Sequence, residues 1–208
     1  MPDLKFQNVG ISGVAAAVPA SVVDNLQAGE PFTREDAEAI VEKTGIRYRR
    51  IAAEGTCASD LCHAAAERLL EGMGIDRESV DALIFVSQTP DYRMPATGNI
   101  LQDRLGLGKS TMAFDVNLGC SGFIYGLSMA YALVSSSGMR RVLLLNGETR
   151  SRAYSQQDRA TGLLFADAGS AVLVERSECF GKSFFSLFSD GGRFEHIIIR
   201  SGGYRHPS

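Results

Sequence analysis

A cysteine stands between two glycines in the stretch NLGCSGFIYGLSMA, residues 117–130. Cys120 comes directly before an apolar run over 121–136, which predicts a helix buried on every side. The free backbone N–H groups and the dipole at the start of a helix favour an anion, and therefore a thiolate. The same groups can hold an oxyanion, while Gly119 and Gly122 would allow a sharp turn and close approach of a substrate. This setting suits a nucleophile that attacks a thioester and carries the acyl group.

A structural cysteine in a tight strand-to-helix turn is the alternative for Cys120, and local spacing alone leaves both open. The three other cysteines are Cys57, Cys62 and Cys179. Their spacing lacks the paired CxxC pattern of a zinc site, so we expect no metal. Cys57 and Cys62 are predicted to pack within a helix.

The composition is that of an ordinary globular protein, with 45% hydrophobic and 22% charged residues among 208. A formal net charge of -3 gives no basic excess, so we expect no nucleic-acid partner. No apolar run is long enough to span a bilayer, and the first ten residues lack the pattern of a signal peptide. We therefore expect a cytoplasmic protein without a membrane partner.

Strands and helices alternate along most of the chain, which predicts an α/β fold. Helices are predicted over 33–45, 57–74, 96–106 and 121–136, and strands over 6–19, 80–89, 113–116, 140–148, 169–176, 183–189 and 196–201. Thr33 is the expected N-cap of the first helix and Gly45 its stop. The small residues around 166–170 indicate close backbone packing, with Asp167 as a turn residue. The alternation implies parallel βαβ units.

Three motifs resemble one known family, in its order and at about its spacing. They are KTGIRYRRIA at 43–52, AFDVNLGCSGFIYGLSMA at 113–130 and DRATGLLFADAGSAVLV at 158–174. Together they are similar to β-ketoacyl-acyl carrier protein synthase III, one of the thiolase-like condensing enzymes. The resemblance implies a thiolase-like fold in which residues 1–208 form the N-terminal half, a mostly parallel mixed sheet covered by helices with a buried nucleophile helix. We expect the C-terminal half to be absent from this sequence.

For chemistry, the resemblance implies that Cys120 accepts a primer acyl group from coenzyme A. A malonyl thioester on acyl carrier protein is then decarboxylated, and its carbanion attacks the acyl-cysteine. The family takes a histidine and an asparagine for this Claisen step from its second half. Since His63, His196 and His206 lie outside the family's histidine motif, we expect these 208 residues alone to form no β-ketoacyl product.

The resemblance also implies substrate-binding roles for Lys43, Arg159 and Met94. Lys43 and Arg159 match basic positions near the nucleotide, with solvated surface charge as the alternative. Ala39 stands where family members place a tryptophan on the adenine, which disfavours ordinary acetyl-coenzyme A priming. Met94, in the segment 87–98, matches a residue that crosses a dimer interface and closes the partner's acyl pocket, unless it merely fills a gap.

The resemblance as a whole predicts a homodimeric acyltransferase of fatty acid biosynthesis. Its expected partners are acyl carrier protein and acyl-coenzyme A, whose thioesters are substrates, and no resident cofactor is expected. The basic residues of 43–50 (Lys43, Arg47, Arg49, Arg50) could form a patch for an acidic carrier protein, or simply belong to a mixed surface. Two alternatives stay open: a related acyltransferase of specialised metabolism, and a non-catalytic subunit or fragment.

Overall fold

The computed structural model describes residues 3–136 and 138–207, which contain nine strands and four α-helices. The strands are β1 (Asp3–Gln7), β2 (Val9–Ala17), β3 (Val22–Asp24), β4 (Tyr48–Arg50), β5 (Ala82–Val86), β6 (Met112–Val116), β7 (Arg141–Thr149), β8 (Asp167–Arg176) and β9 (Lys182–Ser186). The helices are α1 (Arg34–Thr44), α2 (Ala58–Met73), α3 (Thr97–Arg104) and α4 (Gly122–Ser136). None of the helices in these residues is long and apolar enough to cross a membrane.

A mixed five-stranded sheet in the order β2-β8-β7-β5-β6 forms the centre of the fold. β5 runs parallel to both of its neighbours, β6 and β7, because helices connect these strands in sequence. β8 is antiparallel to β7 and β2, since an irregular segment without an α-helix returns the chain from β7. The predicted α/β fold with a mixed sheet is confirmed, although two of these four strand pairings are antiparallel.

Both faces of the sheet are buried at its centre, which explains why β5 is apolar throughout and why β7 carries the apolar run 142–145. Leu83 and Phe85 of β5 pack with α2 and α3 on one face. Ile84 and Val86 pack with α4 on the other. A smaller cluster around Phe32 lies beneath α1.

The predicted helix boundaries are confirmed at α1 and α2. The Thr33 side chain accepts a hydrogen bond from the Asp36 N–H, and the Asp36 side chain accepts one from the Thr33 N–H, forming a capping box. Gly45 and Gly74 end the two helices in the left-handed conformation, at φ 73° and 63°. These signals act within one helical turn, so the sequence alone is sufficient to place them.

Three expectations about the fold are wrong. The run over 6–19 is not one strand, because Asn8 adopts a φ of 63° between β1 and β2, which pair in different sheets. α4 is not buried on every side, because Ile124 and Met129 are 45% and 40% exposed on the face turned away from the sheet. The run at 196–201 is not a strand: Ile197 is 84% exposed, and the chain before it forms a short 3-10 helix over Gly191–His196. Its high β propensity is not enough, since no strand among the described residues pairs with it.

α2 packs directly on β8 where Gly169 carries no side chain. A methyl group built on Gly169 would overlap backbone atoms of Cys62 and Leu61. Cys62 is itself fully buried in this interface. The expected close backbone packing around 166–170 is therefore confirmed.

We predict that Gly169→Ala destabilises the protein by about 1–3 kcal/mol, because backbone atoms of α2 must move to admit the methyl group. Gly72→Ala is the matched control. Gly72 lies within α2 with no atom within 4 Å of its added Cβ, so alanine should stabilise the protein by about 0.4–1 kcal/mol. Urea unfolding measures both, and equal stability of the two variants would contradict the packing argument.

Candidate active site

Cys120 lies in a turn between β6 and α4, at the edge of the sheet where β5, β6 and β7 end. The Gly122 N–H donates to the Gly119 carbonyl oxygen at 2.8 Å and closes this turn. The Cys120 side chain is exposed. The N–H groups of Cys120 and Ser121 have no acceptor within the described residues. A thiol and free N–H donors therefore meet at the carboxyl ends of parallel strands, where α/β proteins commonly bind ligands.

The glycines around Cys120 allow α4 to contact the sheet. A Cβ on Gly122 or Gly126 would lie 2.8 Å from a methyl carbon of Val86, and one on Gly119 would lie 2.5 Å from Oε1 of Gln88. Neither Gly119 nor Gly122 has a positive φ, so the expected sharp turn does not itself require glycine. Close approach does require glycine at these positions, because Val86 at the end of β5 and Gln88 just after it lie against them.

A carboxylate on β7 holds the chain where it leaves β5. Glu148 Oε1 accepts from the Gln88 N–H at 2.8 Å, and Oε2 accepts from the Thr89 hydroxyl at 2.7 Å. Arg150 donates to Gln88 Oε1 at 2.9 Å. The sequence motifs did not single out these residues, although an acidic side chain at the end of a buried strand is a signal that could have identified Glu148.

The segment 87–98 presents Met94 to solvent, and 86% of this residue is exposed. Behind it, Asp115 of β6 accepts from the N–H groups of Thr97 and Gly98 at 2.7 and 2.6 Å and so caps α3. Burial raises the pKa of Asp91, whose Oδ2 accepts from the Ser59 hydroxyl at 2.8 Å. The base of the segment is thus fixed. At its tip, Arg93 donates to the Gly202 carbonyl at 2.6 Å, whereas the neighbouring Met94 stays exposed.

Arg159 and Lys43 lie at opposite ends of α1 and not beside Cys120. The Arg159 guanidinium donates to Asp36 Oδ1 at 2.8 Å and to the Pro31 carbonyl at 2.7 Å, near the start of the helix. Lys43 is exposed in the last turn, roughly 10 Å further along the axis. Arg159 is therefore already paired with a carboxylate, whereas Lys43 makes no ion pair with any residue that the structure describes.

Two buried charged residues correct the sequence analysis. Asp167 is not a turn residue: it begins β8, is 1% exposed, and accepts from the Ala52 N–H and the Ser151 N–H and hydroxyl at 2.7–2.9 Å. Arg49 is 3% exposed and donates to the Phe165 carbonyl at 2.9 Å. Burial lowers the pKa of Arg49. Arg49 therefore cannot belong to a surface patch, and both residues fasten the segment between β7 and β8.

The other cysteines differ from Cys120 in their surroundings. Cys62 is fully buried, and this burial raises its pKa to about 12. Cys57 is half-buried at the start of α2, where burial and the nearby Asp91 raise its pKa. Cys179 is exposed in the turn between β8 and β9. Among the described residues, no group of three or more His, Cys, Asp or Glu side chains is arranged to hold a metal.

The chain is similar in sequence and structure to several known proteins. The family model for 3-oxoacyl-acyl carrier protein synthase III matches residues 114–191. A β-ketoacyl-acyl carrier protein synthase III of Desulfitobacterium hafniense is 36% identical over 97% of this chain and 60% of its own length. The solved 3-oxoacyl-acyl carrier protein synthase of Burkholderia xenovorans is 41% identical with a TM-score of 0.94, over 98% of this chain and 58% of that one.

A solved tetronic acid condensing enzyme is more distant, at 27% identity and a TM-score of 0.72, over 80% of this chain and 54% of its own. The chain thus spans 58–60% of the length of the first two relatives. The predicted family resemblance and the thiolase-like fold are confirmed.

We predict that iodoacetamide at neutral pH alkylates Cys120 at least roughly tenfold faster than the other cysteines. Cys62 and Cys57 remain thiols at this pH, because burial raises the pKa of both. Cys179 is the matched exposed control, since it lacks the free N–H groups of a helix start. Peptide mass mapping over time gives the four rates, and labelling of Cys57 or Cys62 as fast as Cys120 would contradict the assignment.

Proposed function

We propose that this chain belongs to the 3-oxoacyl-acyl carrier protein synthase III family and that it bears the acyl-accepting site of a condensing enzyme. Cys120 is the nucleophile. The observation that carries the proposal is its exposed thiol in the turn before α4, beside the free N–H groups of Cys120 and Ser121. The chain spans 58–60% of its relatives, so the activity of the whole protein is part of the proposal.

In the first step, the Cys120 thiolate attacks the carbonyl carbon of an acyl thioester. A new carbon–sulfur bond forms, and the carbonyl oxygen becomes an oxyanion that backbone N–H groups of the turn can stabilise. Collapse of this intermediate breaks the original thioester bond. The thiolate of coenzyme A or phosphopantetheine leaves and takes up a proton, and the acyl group stays on Cys120.

In the second step, a malonyl thioester loses carbon dioxide to give an enolate, which forms a carbon–carbon bond to the acyl carbonyl and releases Cys120 as a thiolate. The enolate needs hydrogen-bond donors. His63 lies on α2, across the sheet from α4, where it contacts the Arg104 carbonyl and Glu67. His196 and His206 lie in the exposed segment after β9. None of these three positions supports a catalytic role for its histidine. We therefore propose that the family's histidine and asparagine come from other parts of the protein.

We assign the acyl substrate to a thioester of acyl carrier protein or coenzyme A. The relatives' names support a carrier protein as partner. The exposed ammonium of Lys43 is the better candidate for a nucleotide phosphate, because Asp36 already neutralises Arg159. Ala39 is exposed and offers no aromatic face, which favours the second candidate: a related acyltransferase of specialised metabolism, comparable to the tetronic acid condensing enzyme.

We further propose a homodimer in the cytoplasm that places Met94 of one subunit at the acyl pocket of the other. β6 supports this arrangement, because it is the edge strand beside the site and carries an exposed Met112. Met94 supports it too, since an 86% exposed methionine at the tip of a fixed segment contacts little within its own chain.

We predict that acyl thioesters leave a mass adduct on Cys120 of the full-length protein, and that Cys120→Ala abolishes the adduct by removing its only acceptor. The measurement is intact mass and peptide mapping after incubation with thioesters of increasing chain length. Cys179→Ala is the matched control and should keep the adduct. An adduct that persists in Cys120→Ala, or that maps to another residue, would exclude Cys120 as the nucleophile.

We also predict that Met94→Trp lowers the adduct from long acyl chains more than that from acetyl, because the larger side chain shortens the pocket. The same mass assay gives the ratio of long-chain to acetyl adduct. Val14→Trp is the control: Val14 is 62% exposed on β2, at the far edge of the sheet. An unchanged ratio in Met94→Trp would show that Met94 does not line the pocket. A stable monomer in light scattering would exclude the proposed dimer.

A further inference from the structure

We propose that Gln88 is a positioning residue that holds the Cys120 turn, and that Glu148 fixes its backbone and Arg150 its side chain for this purpose. The inference rests on the proposed role of Cys120 and adds residues that the motifs of the chain did not single out. It depends on one juxtaposition: the Gln88 amide fills the space that a side chain at position 119 would take.

The backbone of Gln88 is held from β7. Both carboxylate oxygens of Glu148 are engaged there, one by the Gln88 N–H at 2.8 Å and the other by the Thr89 hydroxyl at 2.7 Å. The Thr149 N–H donates to the same Thr89 oxygen at 3.0 Å. The parallel pairing of β5 and β7 ends at Val86, so these side chains extend the link by three residues.

The side chain of Gln88 is held by Arg150. The guanidinium donates to Gln88 Oε1 at 2.9 Å and lies over the Tyr154 ring, 5.1 Å from its centroid. Gln88 is exposed, so its amide would otherwise move freely in water. Stacking and hydrogen bonding together restrict that motion.

The fixed amide meets the turn at Gly119. The three atoms nearest to a Cβ built on Gly119 are Oε1, Cδ and Nε2 of Gln88, at 2.5, 3.1 and 3.6 Å. Gly119 directly precedes Cys120 and accepts the hydrogen bond that closes the turn. Because the amide packs against this residue, it limits how far the turn can shift towards Gln88.

The test follows from this geometry, because Gly119→Ala and Gln88→Ala remove the same contact by opposite means. The added methyl group must displace the Gln88 amide, whereas the alanine at 88 deletes it. We expect each variant to lower the saturating rate of Cys120 acylation by roughly tenfold, in line with a sub-ångström misplacement of a nucleophile. The double variant should lose the same tenfold, not roughly a hundredfold.

The half-saturating thioester concentration should stay unchanged in these variants, since Gln88 acts on the nucleophile. Gln88→Glu, which keeps an oxygen for Arg150, should restore most of the rate. Gln27→Ala is the matched control, as Gln27 is an exposed glutamine on the 3-10 helix Asn25–Gln27. Additive losses, wild-type rates in both single variants, or a similar loss in Gln27→Ala would overturn the inference.

A second measurement separates this inference from the proposed function. The ratio of iodoacetamide alkylation rates at Cys120 and Cys179 needs no acyl transfer, and it should change equally in both single variants and in the double variant. If the wild-type protein takes up no acyl group, the proposed function fails and this ratio still decides the role of Gln88. If acylation is normal and the ratio is unaffected, the inference alone fails.

Discussion

Val86 contacts the backbone side of α4 at two successive turns, because Gly122 and Gly126 carry no side chains. This contact sets the distance between the helix and the sheet, and protein interiors are packed too densely to absorb a change there. The start of α4 cannot move without Val86, and Val86 is the last residue of a strand that pairs on both sides. The position of Cys120 therefore depends on the most constrained strand of the fold.

Around this contact the molecule divides into a fixed part and an exposed part. The strand ends are tied by Glu148, and the segment between β7 and β8 is tied by the buried Asp167. In contrast, Met94, the outer face of α4 and the isoleucines after His196 are exposed. A nucleophile needs a rigid support and an open side for its substrate, and the described residues provide this combination.

Much of the fold could be predicted from the sequence where the signal was local. The ends of α1 and α2 could be predicted because Thr33, Gly45 and Gly74 act within one helical turn. The apolar runs of β5 and β7 likewise indicated strands buried on both faces. Cys120 could be proposed as the nucleophile from the sequence because three separated motifs shared one family's order. Only part of the role of the flanking glycines could be predicted, since their partners, Val86 and Gln88, lie more than thirty residues earlier in the chain.

Signals that depend on distant partners were missed. Asp167 binds the N–H of Ala52, 115 residues earlier, so nothing beside it in the sequence reveals that it is buried. The run at 196–201 had the composition of a strand but no strand to pair with, and the apolar outer face of α4 gave no sign that it would be exposed. In each case, the missing information was which group lies opposite the residue.

The most direct measurement of the central claim is a crystal structure of the protein after reaction with an acyl thioester. We expect continuous density from Cys120 Sγ to the acyl carbonyl carbon, with the carbonyl oxygen within hydrogen-bonding distance of backbone N–H groups of the turn. We also expect that Val86 still contacts Gly122 and Gly126. Acyl density on any other side chain, or a turn displaced from Val86 with Cys120 directed into the core, would contradict this expectation.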